Sequence, residues 1–476
     1  MIVPKQRPTR SRSPHPGDRL TGPPGRRRRT GGSIARTAIG SLRPCRAPAT
    51  PSAARRGVVV PLVALILLVL GMIIALVFDR LWLAAARREL QSAADAAALA
   101  AAGVLLDDTF LAQRMHDGRT APPPADRKPL PFGPARNAPA TTTSPAVKVS
   151  EALLQRARRE AARVAGLNAV AGAPVRLDTA RNGDVRFGRL VRRPNGDMLF
   201  LQTAFDPTTV VVTAHRTRSR SNPVALLFQG IAGPAADLRA RAEASFTSWL
   251  MQLAPAAGLR VPAAPIAVPW SRNNGFAAGW RESIEMGEGE DRWSYDPEAH
   301  RVTPGSDGLP ELRVRCAIRP DENDVQWLVL DFANDLSATR LVAQWRYGLD
   351  EADLTDWDGR IDLTRWPKQL RAMPACPIDL ANVLAGALGE RRIVFVFDRF
   401  TPTGRAGTGR ATLAGIVGAR LMAVETRPDS SLEITLQPAF VTTRAAEAVP
   451  DWFAETSTPE IAPQTNRYVY KLMLTH

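Results

Sequence analysis

The sequence predicts an α+β protein: a single N-terminal transmembrane helix extended by an alanine-rich helix, followed by mainly β extracytoplasmic domains. Three observations lead there. Residues 57–78, GVVVPLVALILLVLGMIIALVF, carry no charge and no hydroxyl. Residues 79–100 continue alanine-rich, with no helix breaker before Gly103. Residues 248–476 hold most of the tryptophans and many short apolar runs separated by Gly, Pro and Asp, a pattern of strands and turns.

The apolar run comes first. As a helix at 1.5 Å per residue it would span about 33 Å, against a hydrocarbon core of ~30 Å. Gly57, Pro61, Gly71 and Phe78 mark its course, and Pro61 is tolerated because it lies in the first turn, where its missing N–H has no partner in any case. A buried core helix seldom runs this long without a polar position. A cleaved signal peptide ending at Ala84-Ala85-Ala86 is the other alternative. Its apolar region would exceed the usual h-region of roughly 7 to 15 residues, and Asp79 and Arg80 intervene before the small residues.

Charge gives the orientation. The net charge of +16 is concentrated in residues 1–56, which carry 14 Lys and Arg against the single acid Asp18; the other 420 residues hold 48 bases and 45 acids. No folded domain therefore has a phosphate-binding excess, and no nucleic-acid partner is expected. Arg55 and Arg56 directly precede the apolar run, while Asp79, Glu89 and Asp95 follow it, so the N-terminus is expected in the cytoplasm and the rest outside. Residues 1–54, rich in Pro, Arg and Ser, cannot bury enough apolar surface to fold and read as a disordered basic cytoplasmic tail.

Residues 55–106 form one transmembrane and juxtamembrane module. Asp79 stands at the exit of the apolar run, and Leu90-Gln91-Ser92-Ala93-Ala94-Asp95-Ala96-Ala97-Ala98-Leu99-Ala100 follows. With Arg55-Arg56-Gly57 before the run, this order resembles the N-terminal module of the TadE/TadG-type proteins of the Flp (tight adherence) pilus system. The resemblance implies a non-enzymatic pilus-assembly or adherence component. It would sit single-pass in the bacterial cytoplasmic membrane, with periplasmic or extracellular domains, and its partners would be the lipid bilayer and other pilus-assembly or pseudopilin helices. The alanine faces either suit lateral packing of such helices or simply stabilise an exposed helix. Two family features are absent. Prepilin processing needs a Glu five residues past the cleaved glycine, where Leu62 stands, and the nearest match to an Asp-x-Ser-x-Ser metal motif is Asp335-Leu336-Ser337-Ala338-Thr339.

Residues 107–149 hold eight prolines between Ala121 and Ser150 and read as a Pro-rich linker. Residues 150–247 read as a helix plus β domain. The helix runs from about Ser150 to Ala165, and strands are expected where apolar residues alternate, at 210–215 and again at Leu238, Ala240, Ala242, Ala244 and Phe246. The apolar stretch between them, 222–233, reads as a short helix. Residues 248–476 read as mainly β, with strands at 312–318, 327–330, 393–397, 411–417, 421–424, 432–436 and 468–474 and a helix at 378–388.

Catalytic chemistry is thin. The five histidines never pair at helical spacing, and neither HExxH nor GxSxG occurs. No cofactor is expected. Asp356, Asp358 and Asp362 are the best cation candidates, because alternate carboxylates offer the oxygen donors Ca²⁺ takes, but the distal Glu of an EF-hand is missing. They support an alternative reading as a surface adhesin binding its ligand directly. A third reading is an exported hydrolase using scattered carboxylates such as Asp331 and Asp398. Cys45, Cys316 and Cys376 lack zinc spacing; Cys316 and Cys376 are either one disulfide or two buried thiols.

Overall fold

The computed structural model describes residues 59–120, 147–193, 195–229, 233–256, 258–272, 276–316, 326–374, 379–403, 408–428, 431–450 and 466–475. Expectations placed on the basic tail, on Arg55, Arg56, Gly57 and Cys376, and on the proline cluster lie outside them. The chain divides into two compact units, Met1–Ala64 and Leu65–His476. Of the first, Val59–Ala64 are described, and they are helical.

Helix α1 (Val59–Leu105) is 47 residues long and unbroken. Helix α2 (Asp108–Thr120) follows almost at once, occupying the start of the stretch expected to be linker. Helix α3 (Glu151–Gly166) begins where Ser150 Oγ accepts from the Leu153 amide at 3.3 Å, an N-cap that satisfies one of the open donors of the first turn. Among the described residues one α-helix, α1, is long and apolar enough to cross a membrane, and it is followed by a mainly β region, as expected.

The principal strands are β1 (Val185–Arg192), β2 (Met198–Gln202), β3 (Thr209–Arg216), β4 (Leu238–Thr247), β5 (Ala263–Pro269), β6 (Leu312–Cys316), β7 (Leu328–Leu330), β8 (Lys368–Met373), β9 (Arg391–Pro402), β10 (Gly409–Thr426), β11 (Leu432–Pro438), β12 (Val441–Thr442) and β13 (Val469–Leu474). One six-stranded sheet has the order β12-β13-β4-β3-β1-β2. Its strand β4 is the one announced by strict alternation: Leu238, Ala240, Ala242 and Ala244 are buried and Arg239 and Arg241 exposed. On the other edge of β4 lies β13, with Leu472 opposite Phe246. A sheet expected from residues 150–247 thus draws a strand from the far end of the chain, which covers an edge that would otherwise stay open. Within the apolar stretch 222–233, where a short helix was expected, Val224–Ala225 is instead a short strand paired with Ala235–Ala236, and residues 226–228 are not helical; residues 230–232 lie outside the described residues.

The second sheet has the order β6-β11-β10-β8-β7-β5-β9, and β9 also pairs with β10, so five strands close on themselves. All these pairs are antiparallel except β5 with β9. Alternate residues of β9 serve different cores: Ile393, Phe395 and Phe397 lie in one, Val394 and Val396 in the other. Burial on both faces explains the unbroken apolar run. The second of these cores is completed by α4 (Ala338–Tyr347) and α5 (Asp379–Ala385), through Leu341, Trp345, Leu380 and Leu384. Helix α4 falls where no helix was expected.

Candidate functional site

The helix α1 changes environment along its length. From Leu65 to Phe78 its large apolar side chains are exposed, and an added Cβ at Gly71 would meet nothing within 4 Å. A surface of this length and composition suits the hydrocarbon core of a bilayer better than water. From Ala86 to Leu105 one face of the same helix is buried. Leu90, Ala93, Ala94, Ala97, Ala98, Ala101 and Ala102 are fully covered and share a core with α3 and with the inner faces of β1, β3 and β4. Small side chains let the helix backbone come close to the sheet. The alanine face is therefore spent within the chain; neither lateral packing on foreign helices nor an exposed helix describes it.

Polar side chains at the exit fix the arrangement. Asp79 is buried at 3% exposure, and its Oδ1 accepts from the backbone amides of Leu227, at 2.8 Å, and Phe228, at 3.2 Å. Its Oδ2 is buried without a hydrogen-bond partner. Three residues on, the Trp82 indole N–H donates to the Ala225 carbonyl at 3.1 Å. Both contacts clasp the 224–236 hairpin against α1. Further along, Glu89 Oε2 accepts from the Ala171 amide at 2.9 Å. Gln91 Nε2 donates both to Asp95 Oδ1, at 2.8 Å, and to the Arg241 carbonyl of β4, at 3.0 Å. The i,i+4 partner holds the amide in the rotamer that reaches the strand. Leu99 packs partly buried against the same core.

Of the predicted site residues, Asp79, Leu90, Gln91, Ala94, Asp95, Ala98 and Leu99 are thus brought to one seam between α1 and its partners, while Pro61, Gly71 and Phe78 lie on the run before it. Trp82, Leu227, Phe228 and Arg241 were missed. A signal existed for the hairpin in the run Ala225-Leu226-Leu227-Phe228, apolar yet bracketed by prolines. Ala84-Ala85-Ala86, the cut position in the signal-peptide alternative, lie inside the continuous helix, with Ala86 buried.

The remaining candidates do not converge. Asp356 Oδ2 accepts from the Asn334 side-chain amide; Asp362 Oδ1 accepts from the Thr364 amide and hydroxyl at 2.9 and 2.6 Å; and Asp358 holds a left-handed turn position with φ 55°. Among the described residues no group of three His, Cys, Asp or Glu side chains could hold a metal ion. Asp335 and Ser337 cap α4: Asp335 Oδ1 accepts from the Ser337 amide and Ser337 Oγ from the Arg340 amide. Asp331 is buried beside Arg371, at 3.3 Å, and burial raises its carboxyl above the ordinary range, as it does for Asp398. Cys316 is disulfide-bonded, and its Sγ lies 3.1 Å from the Pro374 carbonyl oxygen.

Residues 57–104 match the model of the Tad family, described as "Putative Flp pilus-assembly TadE/G-like". The match covers the run, the exit aspartate and the Leu-Gln to Leu-Ala signature, so the resemblance to TadE/TadG-like proteins is shown for this module. No curated protein and no solved structure matches the chain.

Proposed function

We propose that this chain is a membrane-anchored, non-enzymatic component of a Tad/Flp-type pilus assembly. In this reading the N-terminal tail is cytoplasmic, α1 crosses the cytoplasmic membrane once, and the β-rich region stands outside as a scaffold for other pilus components. One observation carries it: the segment matching the pilus-assembly family is a single helix, exposed and apolar in its first half and built into the β-rich core in its second. Such a helix leads from the apolar run into the β-rich core with no linker between them. The Cys316 disulfide supports placement in an oxidising compartment.

The test is genetic. Cells lacking the chain are expected to lose surface pili, seen by electron microscopy, and to regain them with the full-length protein. They should not regain them with a version whose residues 1–78 are replaced by a cleavable signal peptide. Piliation unaffected by the deletion, or fully restored by the soluble version, contradicts the proposal.

A further inference from the structure

Leu227 and Phe228 form an exposed apolar pair, 56% and 42% accessible, in a region where most large apolar side chains are buried. Their backbone amides are both bonded to Asp79, the first charged residue after the membrane-crossing run. Phe78, its neighbour in the helix, is exposed, and one residue advances a helix by only 1.5 Å. The pair therefore sits within about one helical turn of the end of the apolar surface. Leu81, also exposed, and the half-buried Trp82, whose indole holds Ala225, occupy the same level, and Arg80 beside them is exposed. Apolar and tryptophan side chains flanked by an arginine are the composition found at a bilayer's headgroup boundary.

We propose that the hairpin segment 226–229 is a second membrane contact: it lays Leu227 and Phe228 into the lipid headgroup boundary, and Asp79 latches it to the anchor helix. The proposal rests on α1 crossing the membrane. Its occupant is the bilayer, because the pair continues the lipid-exposed surface of α1 and shares its depth. A helix that enters the membrane alone is free to tilt; one clasped to an interfacial hairpin has two points of contact and a fixed angle between the bilayer and the β-rich region. The buried Asp79 carboxylate serves this by accepting two backbone amides that would otherwise be desolvated at the boundary.

The test uses full-length protein in lipid nanodiscs of phosphatidylcholine and phosphatidylglycerol. In a Cys45→Ser background, an environment-sensitive fluorophore is placed at Leu227→Cys, at Val69→Cys as the mid-span reference and at Leu388→Cys, itself 41% exposed, as the aqueous reference. The parent signal is subtracted. Replacing the Leu227 side chain leaves its amide bond to Asp79 intact. The expected result is quenching at 227 by shallow nitroxide lipids, with iodide quenching at least about threefold weaker than at 388. Asp79→Ala should move 227 toward the aqueous reference and leave 69 unchanged. If 227 behaves like 388 while 69 is quenched by deep nitroxide lipids, the hairpin contact is wrong and the anchor stands. If 69 is also unquenched, the anchor reading fails and the proposal with it.

Discussion

Asp108 Oδ2 lies 2.6 Å from Nη1 of Arg420, so the first turn of α2 is ion-paired to the middle of β10. Arg420 is 1% exposed, stacks 3.7 Å over the Tyr295 ring centre and shares the carboxylate with Arg391, at 3.3 Å. Burial lowers the Arg420 pKa from its ordinary value, and Asp108 opposes that shift. The pair ties the helical module to the five-stranded ring. Asp108→Ala would leave a buried guanidinium without its main counter-charge, a loss of about 3 kcal/mol or more. The expected outcome in a thermal melt of the detergent-solubilised protein is a large fall for Asp108→Ala, mostly recovered when Arg420→Met is added, because the apolar replacement leaves no stranded charge.

The alanine face gives a second prediction. Ala97 is fully buried in the core shared with α3 and the sheet. Ala97→Leu inserts three carbons where none fit and should cost about 1–3 kcal/mol. Ala85→Leu, on an exposed face of the same helix, should stay within about 0.5 kcal/mol. Equal effects would mean that α1 is not embedded in the core; denaturant melts of the two variants decide it.

Glu311 sets a pH dependence. Its Oε1 accepts from the Arg292 and Trp293 amides at 3.2 and 2.7 Å, yet burial dominates and pushes the carboxyl up to about 7. A carboxyl that holds its proton more tightly when folded contributes stability fully below its unfolded pKa, near 4.5, and loses it as pH rises through about 7. Glu311→Gln mimics the protonated form. The variant is expected to match the parent at about pH 4 and below, where the carboxyl is protonated in both states, and to be more stable than it at pH 8 by up to about 3 kcal/mol.

The disulfide of Cys316 is proposed to join Cys376, since Cys45 lies on the other side of the membrane run. A bridge closing a loop of this length stabilises by roughly 4 kcal/mol in the chain-entropy account. Peptide mapping without reductant should recover the Cys316–Cys376 pair, and reductant should lower the melting temperature. Recovery of two free thiols contradicts the assignment.

Local pattern made some of this legible and long-range pairing hid the rest. The span of α1 follows from an unbroken run, and β4 from strict alternation at 238–246. The use of the alanine face was not legible: small side chains admit a foreign helix or the chain's own sheet equally well, and the sheet atom that Gln91 reaches belongs to Arg241, 150 residues away. Ser337 was read within a metal-like pattern because a hydroxyl after an aspartate marks a helix cap as well as a ligand set. Strand β10 was read as two strands, 411–417 and 421–424, with Gly418 in the gap between them. That glycine is instead a close approach, where an added Cβ would lie 2.4 Å from the Ala439 carbonyl oxygen and 2.7 Å from that of Tyr468. The Asp79 clasp was invisible because its partners are backbone amides, which carry no sequence signature.

One uncleaved helix is proposed to anchor the β-rich region across the membrane. The direct test is protease digestion of spheroplasts expressing the C-terminally tagged protein, combined with membrane fractionation and the size of the tagged product. The expected result is a full-length product in the membrane fraction whose tag is removed from outside. A soluble product shortened by the anchor, or a tag protected in intact spheroplasts, would contradict it.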